Sequence, residues 1–212
     1  MTETLPDLLL NAFITLIVVI DPVGVAAGYV AMTAGYSPRE RRTTALRGVT
    51  LAGVILLFFA LVGNAFLGAL GIGLPAFRIA GGILLFFLAL DMILVRQSGV
   101  RATPQEHAEA GEREDISVFP LAIPLIAGPG AITSTVLLMG QAAQRPAFGA
   151  GLLAMLAVAL ALTLLALLMA GGLMRVLGVT GANVVGRVLG IVLAALAVQF
   201  VLDGLAGAGL VR

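Results

Sequence analysis

The sequence predicts an all-α membrane protein with six transmembrane helices, arranged as two inverted three-helix repeats. Apolar residues make up 60% of the 212-residue chain and charged residues 11%, and its mean hydropathy is +1.13. Uncharged stretches of about 20 residues, the length that crosses a bilayer, recur along it. The pairs Asp21-Pro22 and Gly128-Pro129 interrupt the first and fourth stretches at an offset of 107 residues.

The first half of the chain, residues 1–95, contains three predicted spans, at about 8–33, 49–70 and 75–95. Asp21 is the one charge of the first span. Before the second span, Ser37, Pro38 and Glu40 form a capping-box pattern, so we expect this helix to begin in water. A glycine-rich turn precedes the third span.

A polar loop, residues 96–115, joins the halves and contains His107 among several acidic residues. We interpret this histidine as solvated, not as a proton relay. The second half, residues 116–212, contains three predicted spans, at about 116–139, 148–174 and 188–208. Pro120, Pro124 and Pro129 lie in the fourth span, which therefore cannot be one straight helix.

Further matches between the halves indicate an internal duplication. Leu70-Gly71-Ile72 corresponds to Leu177-Gly178-Val179 at the same offset of 107, and Arg78 corresponds to Arg187 at an offset of 109. Because each half has three spans, an odd number, the second copy must enter the membrane from the opposite side. The sequence therefore predicts an inverted repeat, with the helices of spans one and four broken near the bilayer midplane.

Arginine positions predict the orientation. Nine arginines fall on one side of the predicted topology, namely Arg39, Arg41, Arg42, Arg47, Arg96, Arg101, Arg113, Arg175 and Arg187. Arg78, Arg145 and Arg212 fall on the other side. The positive-inside rule then places both termini outside the cytoplasmic membrane.

The two interruptions predict a binding site. Asp21 and Gly128 each precede a proline, so each is expected to cap a new half-helix whose free N–H groups attract an anion. Asp21 itself would hold an ammonium group, a proton or a cation, because a carboxylate at this depth needs a partner. Together these groups suit a small zwitterion. The predicted substrate-binding residues are Asn11, Asp21, Pro22, Val23, Gly24, Val25, Gly128, Pro129, Gly130, Ala131, Ile132, Thr133 and Ser134.

Several polar residues also have a purely structural interpretation. Asp21 could act as a helix cap alone, and Asn64, Thr135 and Gln199 could be interhelical hydrogen-bonding groups. Arginines near span ends commonly extend to the headgroups, which accounts for Arg78 and Arg187. Whether these two arginines, or the acids near span ends, Asp91 and Asp203, take part in function is left open.

Composition excludes other function classes. The net charge is +1 and lysine is absent, so no basic surface for nucleic acid is expected. The chain has no cysteine and no grouped nucleophile, base and orienting residue, so we expect no catalytic residues, metal site or cofactor. The expected partners are a small zwitterionic substrate and the lipid bilayer. Proton or sodium coupling and homo-oligomerisation are left open.

Two segments, from Asn11 to Gly24 and from Phe119 to Thr133, closely resemble the MarC/SnatA family of bacterial and archaeal inner-membrane proteins. The family's signature falls on Asn11, Asp21, Pro22 and Gly24 in the first segment. In the second it falls on Pro120, Pro124, Gly128, Pro129 and Gly130. The resemblance covers essentially the whole chain and implies membership of a superfamily of exporters that includes lysine exporters. An archaeal member described as a small neutral amino acid transporter implies that substrate class.

We therefore expect a non-enzymatic secondary transporter that exports or exchanges small neutral amino acids, such as alanine or glycine. Two alternatives stay open: a membrane scaffold or regulatory protein that transports nothing, and a small-ion channel. A channel is disfavoured because carboxylates in the predicted spans are too few for an acidic ring.

Overall fold

The computed structural model describes residues 4–95, 115–142 and 146–210, and every regular element in these ranges is a helix. The elements are α1 (Leu5–Ile20), α2 (Pro22–Met32), α3 (Pro38–Ala69), α4 (Leu74–Leu94), α5 (Ser117–Ile126), α6 (Pro129–Ala142), α7 (Pro146–Leu168) and α8 (Ala170–Gly207). The predicted polar loop up to residue 114, with His107, lies outside the described residues, as do Arg145 and Arg212.

The described helices confirm a multi-pass architecture by length and composition. Five segments are long and apolar enough to cross a membrane: Leu5–Met32, which joins α1 and α2, and the helices α3, α4, α7 and α8. The pair α5 and α6 passes the same test together but is bent by 55°. Counting this bent pair as one span gives the six spans that the sequence predicts.

The beginning of α3 confirms the predicted capping box. The backbone N–H of Ser37 donates to Glu40 Oε2 at 2.7 Å, and the backbone N–H of Glu40 donates to Ser37 Oγ at 3.3 Å. Pro38 takes the first helical position, where its missing N–H costs nothing. The helix therefore begins well before the apolar stretch at Val49, as expected for a start in water.

Helix bounds in the second half differ from the predicted spans. The fifth span was expected to reach Met174, but α7 ends at Leu168 and the chain turns at Met169. The sixth was expected to begin near Val188, but α8 extends on both sides of a kink at Gly178, whose φ is 62°. Hydropathy marks where a helix meets water, and a helix can continue beyond that point, so α8 begins well before the predicted sixth span at about 188–208.

Helices α4 and α8 pack against each other at close range and in opposite directions. Ideal Cβ atoms built on Gly82, Gly190 and Gly204 would lie 2.7–3.1 Å from backbone carbonyl oxygens of the facing helix, those of Ala197, Ala89 and Pro75. Small residues allow this approach, which gives van der Waals contact along both backbones. The pair brings the third and sixth spans together.

The remaining spans also pair between the halves. Leu9 of α1 lies against Gly151 of α7, and the α5–α6 pair follows α3, with Leu121 against Gly48 and Val136 against Gly63. The side chain of Asn64 donates to the Val136 carbonyl at 3.3 Å, which confirms its predicted interhelical role. Gln199 instead donates to Asp203 on its own helix at 2.7 Å.

The close approach of α4 and α8 generates a test. The change Gly82→Ala should lower the free energy of unfolding by about 1–3 kcal/mol, because the new methyl group meets a backbone oxygen that cannot move aside. Gly186→Ala on α8 is the matched control, since nothing lies within 4 Å of its Cβ position. Denaturant titration in micelles measures both. Equal stability of the two variants would contradict the described packing.

Candidate functional site

Asp21 occupies the junction between α1 and α2. Its φ of 55° and ψ of 68° are left-handed, a conformation that Asn and Asp tolerate better than other side chains. Its Oδ1 atom accepts a hydrogen bond from the backbone N–H of Gly24 at 3.0 Å. Its side chain is buried. The sequence prediction that Asp21 caps a new helix beginning at Pro22 is therefore confirmed at this local level.

This capping changes the expected chemistry of the first helix start. Free N–H groups were expected from Val23 to Val25, yet Asp21 accepts from two of them. Its carboxylate binds the N–H of Gly24, and its carbonyl accepts from the N–H of Val25 at 2.9 Å. An anion arriving at this start would therefore compete with a group that is already bound there.

The second junction forms at Gly128, between α5 and α6. Phe119 and Ile123 precede prolines and adopt extended backbone angles, as the proline ring requires, so α5 is irregular. Gly128 follows, and its carbonyl accepts from the N–H of Ile132 at 3.0 Å in the first turn of α6. A Cβ atom on Gly128 would lie 2.4 Å from the carbonyl oxygen of Pro124, so only glycine fits.

The end of α1, just before the first junction, lies against the start of α6 at the second junction. A Cβ atom on Gly130 would lie 3.2 Å from Cγ1 of Val19, which is two residues before Asp21. Val19 and the segment from Gly128 to Ala131 line a common void of about 10 Å³. That volume holds about one water molecule. The structure thus brings the end of α1 against the start of α6 in a closed arrangement.

Two hydroxyl groups on α6 lie buried without a hydrogen-bond partner in the described part of the chain. They are Ser134 Oγ, on a residue that is 0% exposed, and Thr135 Oγ1, on a residue that is 2% exposed. Other buried hydroxyls on spans differ: those of Thr15 and Thr163 donate to the carbonyl one turn back, each at 2.8 Å. An unsatisfied buried hydroxyl is costly, so these two need an explanation.

The other predicted site residues fall in three groups. Pro22, Val23 and Gly24 are half-buried on the first turn of α2, and Val25 is buried. Ile132 and Thr133 line an apolar cavity of about 430 Å³ on the other side of Pro129. Asn11 is exposed on α1, about 15 Å along the helix axis from Asp21. The structure therefore does not bring Asn11 to the junctions.

From the sequence, Thr135 could line the site or form an interhelical hydrogen bond, and the structure contradicts the second role. Its hydroxyl makes no such bond in the described residues. No sequence signal separates it from Thr163, because both are hydroxyl residues in apolar spans. The residues that close the void, Val19 and Leu88, were also missed, since apolar residues there look like any others.

Comparisons with known proteins extend over nearly the whole chain. A family model described as "MarC family integral membrane protein" matches residues 7–208. A UPF0056 membrane protein of Methanocaldococcus jannaschii is 38% identical over 199 residues, covering 93% of this chain and 95% of its own. The Escherichia coli UPF0056 membrane protein YhcE is 37% identical over 196 residues, covering 92% and 90%. These names give no substrate, and no solved structure matches.

Asp21 offers a test that separates its capping role from its charge. Asp21→Asn should leave the free energy of unfolding within about 0.5 kcal/mol of the wild type, because Asn also caps helices and tolerates left-handed angles. Asp21→Ala should lower it by about 1–3 kcal/mol, since Ala does neither. Thermal unfolding in micelles measures both variants. An equal loss in both would contradict the capping role.

Proposed function

The chain belongs to the MarC family of integral membrane proteins, and from this premise we propose that it is a secondary transporter of small neutral amino acids. It would export or exchange them across the cytoplasmic membrane by alternating access, with both termini outside. The site lies where the Asp21 and Gly128 junctions meet. The observation that carries the proposal is the pair of buried, unpartnered hydroxyls that follows the Gly130 helix start.

The inverted repeat of this proposal has support in backbone geometry. Gly71 and Gly178, which correspond at the offset of 107, both have positive φ, 70° and 62°. A Cβ atom on Gly53 would lie 3.3 Å from Cδ1 of Leu160, the residue exactly 107 positions later. A residue touches its own counterpart only near a symmetry axis. These observations favour a two-fold axis between α3 and α7.

The α4–α8 contacts support the same symmetry. Gly82 faces Ala197 and Gly190 faces Ala89. At the offset of 109, Gly82 corresponds to position 191 and Ala197 to position 88. Each of these is one residue from the second contact, so the two contacts are equivalent under exchange of the halves. Two repeats that meet through small residues have a surface on which they can move relative to each other, as alternating access requires.

The groups at the junctions suit the two ends of an amino acid. Pro129 has no N–H and Gly128 accepts from Ile132, so the N–H groups of Gly130 and Ala131 are available to the substrate carboxylate. Asp21 supplies negative charge for the ammonium group or a coupling ion. The hydroxyls of Ser134 and Thr135, one turn on, would complete the polar lining.

The closed arrangement requires movement for each transport cycle. A void of about 10 Å³ admits no amino acid, so the repeats must separate to load the site. The competing hypothesis is a scaffold that transports nothing. In that hypothesis Asp21 serves only to cap α2 through its bond to Gly24. The two readings differ in what Asp21→Asn does.

Transport measurement tests the proposal directly. Purified protein in liposomes should exchange radiolabelled alanine or glycine, and Asp21→Asn should reduce this exchange at least tenfold while the protein stays folded. Gly128→Leu should abolish it, because a side chain there meets the Pro124 carbonyl. The control is Gly68→Leu, at a position with nothing within 4 Å of its Cβ. No exchange of any small amino acid by the wild type would favour the scaffold.

Ser134 provides a second test, based on an unsatisfied group. Ser134→Ala should keep or slightly raise stability, because it removes a hydroxyl that has no partner in the unloaded protein. It should raise the KM for alanine about tenfold, the value of one hydrogen bond to a charged group. Thr163→Ala is the control, since that buried hydroxyl already bonds to Ala159. An unchanged KM in Ser134→Ala would remove Ser134 from the site.

A further inference from the structure

Another cavity, larger than the two described above at about 880 Å³, opens at the arginine-rich end of the molecule. It lies where the end of α2 and the start of α3 face the junction of α7 and α8, and we call it the α2–α8 cavity. Tyr29 on its wall is eight residues beyond Asp21, about 12 Å along the helix axis. The cavity is therefore separate from the void at the helix breaks.

Positive charge dominates the α2–α8 cavity. Arg41, Arg42 and Arg175 line it, and its described lining includes no acidic side chain. Arg41 is fixed in place, because its Nε and Nη2 atoms donate to the Thr33 carbonyl at 3.0 and 2.7 Å. The hydroxyl of Tyr29 in turn donates to the Arg41 carbonyl. One guanidinium is thus held rigidly between α2 and α3.

The other two arginines are exposed and have no acidic partner in the described residues. Arg47 on α3 differs, because it pairs with Asp115 at 3.5 Å. Hydrogen bonds from Ser117, with a smaller contribution from Arg47, hold the pKa of Asp115 below its usual range, so this acid stays ionised and balances Arg47. Within the described part of the chain, the positive charge on Arg42 and Arg175 is therefore not balanced by an acidic partner.

The rim of the cavity is apolar. Leu168 and Met169 are 47% and 60% exposed at the end of α7, on the outside of a chain that crosses a bilayer. Gly171 and Gly172 follow them and leave open space, with nothing within 4 Å of either Cβ position. One cavity therefore presents guanidinium groups beside an apolar surface suited to hydrocarbon. The two glycines leave free space between the charged and the apolar parts of its wall.

We propose that the α2–α8 cavity binds the phosphate of an anionic phospholipid. Arg42 and Arg175 contact the phosphate oxygens, and the acyl chains lie along Leu168 and Met169. Basic pockets between transmembrane helices suit such headgroups, and guanidinium matches phosphate geometry. Free phosphate would bind the same guanidinium groups, but it makes no favourable contact with the apolar rim. This site is independent of the proposed transport function.

The chain carries its own reporter for this site. It has two tyrosines and no tryptophan, and both tyrosines, Tyr29 and Tyr36, line the cavity. Full-length protein in phosphatidylcholine nanodiscs is titrated with phosphatidylglycerol that carries a nitroxide label. Phosphatidylcholine with the same label and acyl chains serves as the neutral comparison. Quenching of tyrosine fluorescence gives the relative affinity of the two lipids.

We expect wild-type protein to prefer the anionic lipid and the double variant Arg42→Gln, Arg175→Gln to lose about 30-fold of that preference. Arg175→Gln alone should lose about fivefold. Arg39→Gln is the matched control, because this exposed arginine lies in the same turn of α3 but outside the cavity lining. Its preference should equal that of the wild type. Equal affinity of the wild type for both lipids, or full preference in the double variant, would overturn the proposal.

Free phosphate is tested in the same nanodiscs. Inorganic phosphate, added at a constant ionic strength set with potassium chloride, should leave the quenching by labelled phosphatidylglycerol unchanged. If phosphate instead displaces the labelled lipid completely at low millimolar concentration, the site is one for soluble anions and the lipid assignment is wrong. Thermal unfolding of each variant in pure phosphatidylcholine establishes that the substitutions leave the fold intact.

Discussion

The structure depends on one constraint: inside hydrocarbon, backbone N–H and C=O groups have no water to bond with. A span can therefore be interrupted only where the protein supplies replacement partners. At Asp21 the replacement comes from a side chain, which accepts the N–H of Gly24. At Gly128 the need is smaller, because Pro129 has no N–H, and the Gly128 carbonyl begins the helical bonds of α6 by accepting from Ile132. Both interruptions are surrounded by other helices, and α6, which begins at the second, is buried along most of its length.

Close packing is the second consequence of the same constraint. Association of helices in a bilayer relies on van der Waals contact, because lipid tails are as apolar as leucine. Glycines at the α4–α8, α1–α7 and α3–α6 contacts allow side chains or backbone of the partner helix to fill the space. Each of these contacts joins the first half of the chain to the second. The halves are therefore held together largely by the shape of their packed surfaces.

Sequence reasoning anticipated what depends on local chemistry. The number of spans, the capping box at Ser37 and the cap at Asp21 all follow from residue types at fixed spacing. It missed what depends on tertiary packing. No pattern shows that Thr135 lacks a partner whereas Thr163 has one, or that Asn11 faces outward. The bounds of α7 and α8 also differ from the predicted spans, because hydropathy records apolar stretches, whereas the helices end where the backbone turns, at Met169.

Asp21 is present at one junction only, and this difference suggests how a bound amino acid would replace the hydrogen bond between Asp21 and Gly24. In the closed structure the Asp21 carboxylate bonds to the N–H of Gly24, so the charge and the helix start satisfy each other. An ammonium group that draws the carboxylate away leaves that N–H unsatisfied. Under the proposed function, the substrate's own carboxylate would then bind this N–H together with those of Gly130 and Ala131. Glycine at position 24 leaves room for the carboxylate, because a Cβ there would lie 2.1 Å from Asp21 Oδ2. Under the proposed function a zwitterion would make both replacements at once, whereas a simple cation would leave the helix start unsatisfied, so the proposed mechanism selects amino acids over inorganic ions.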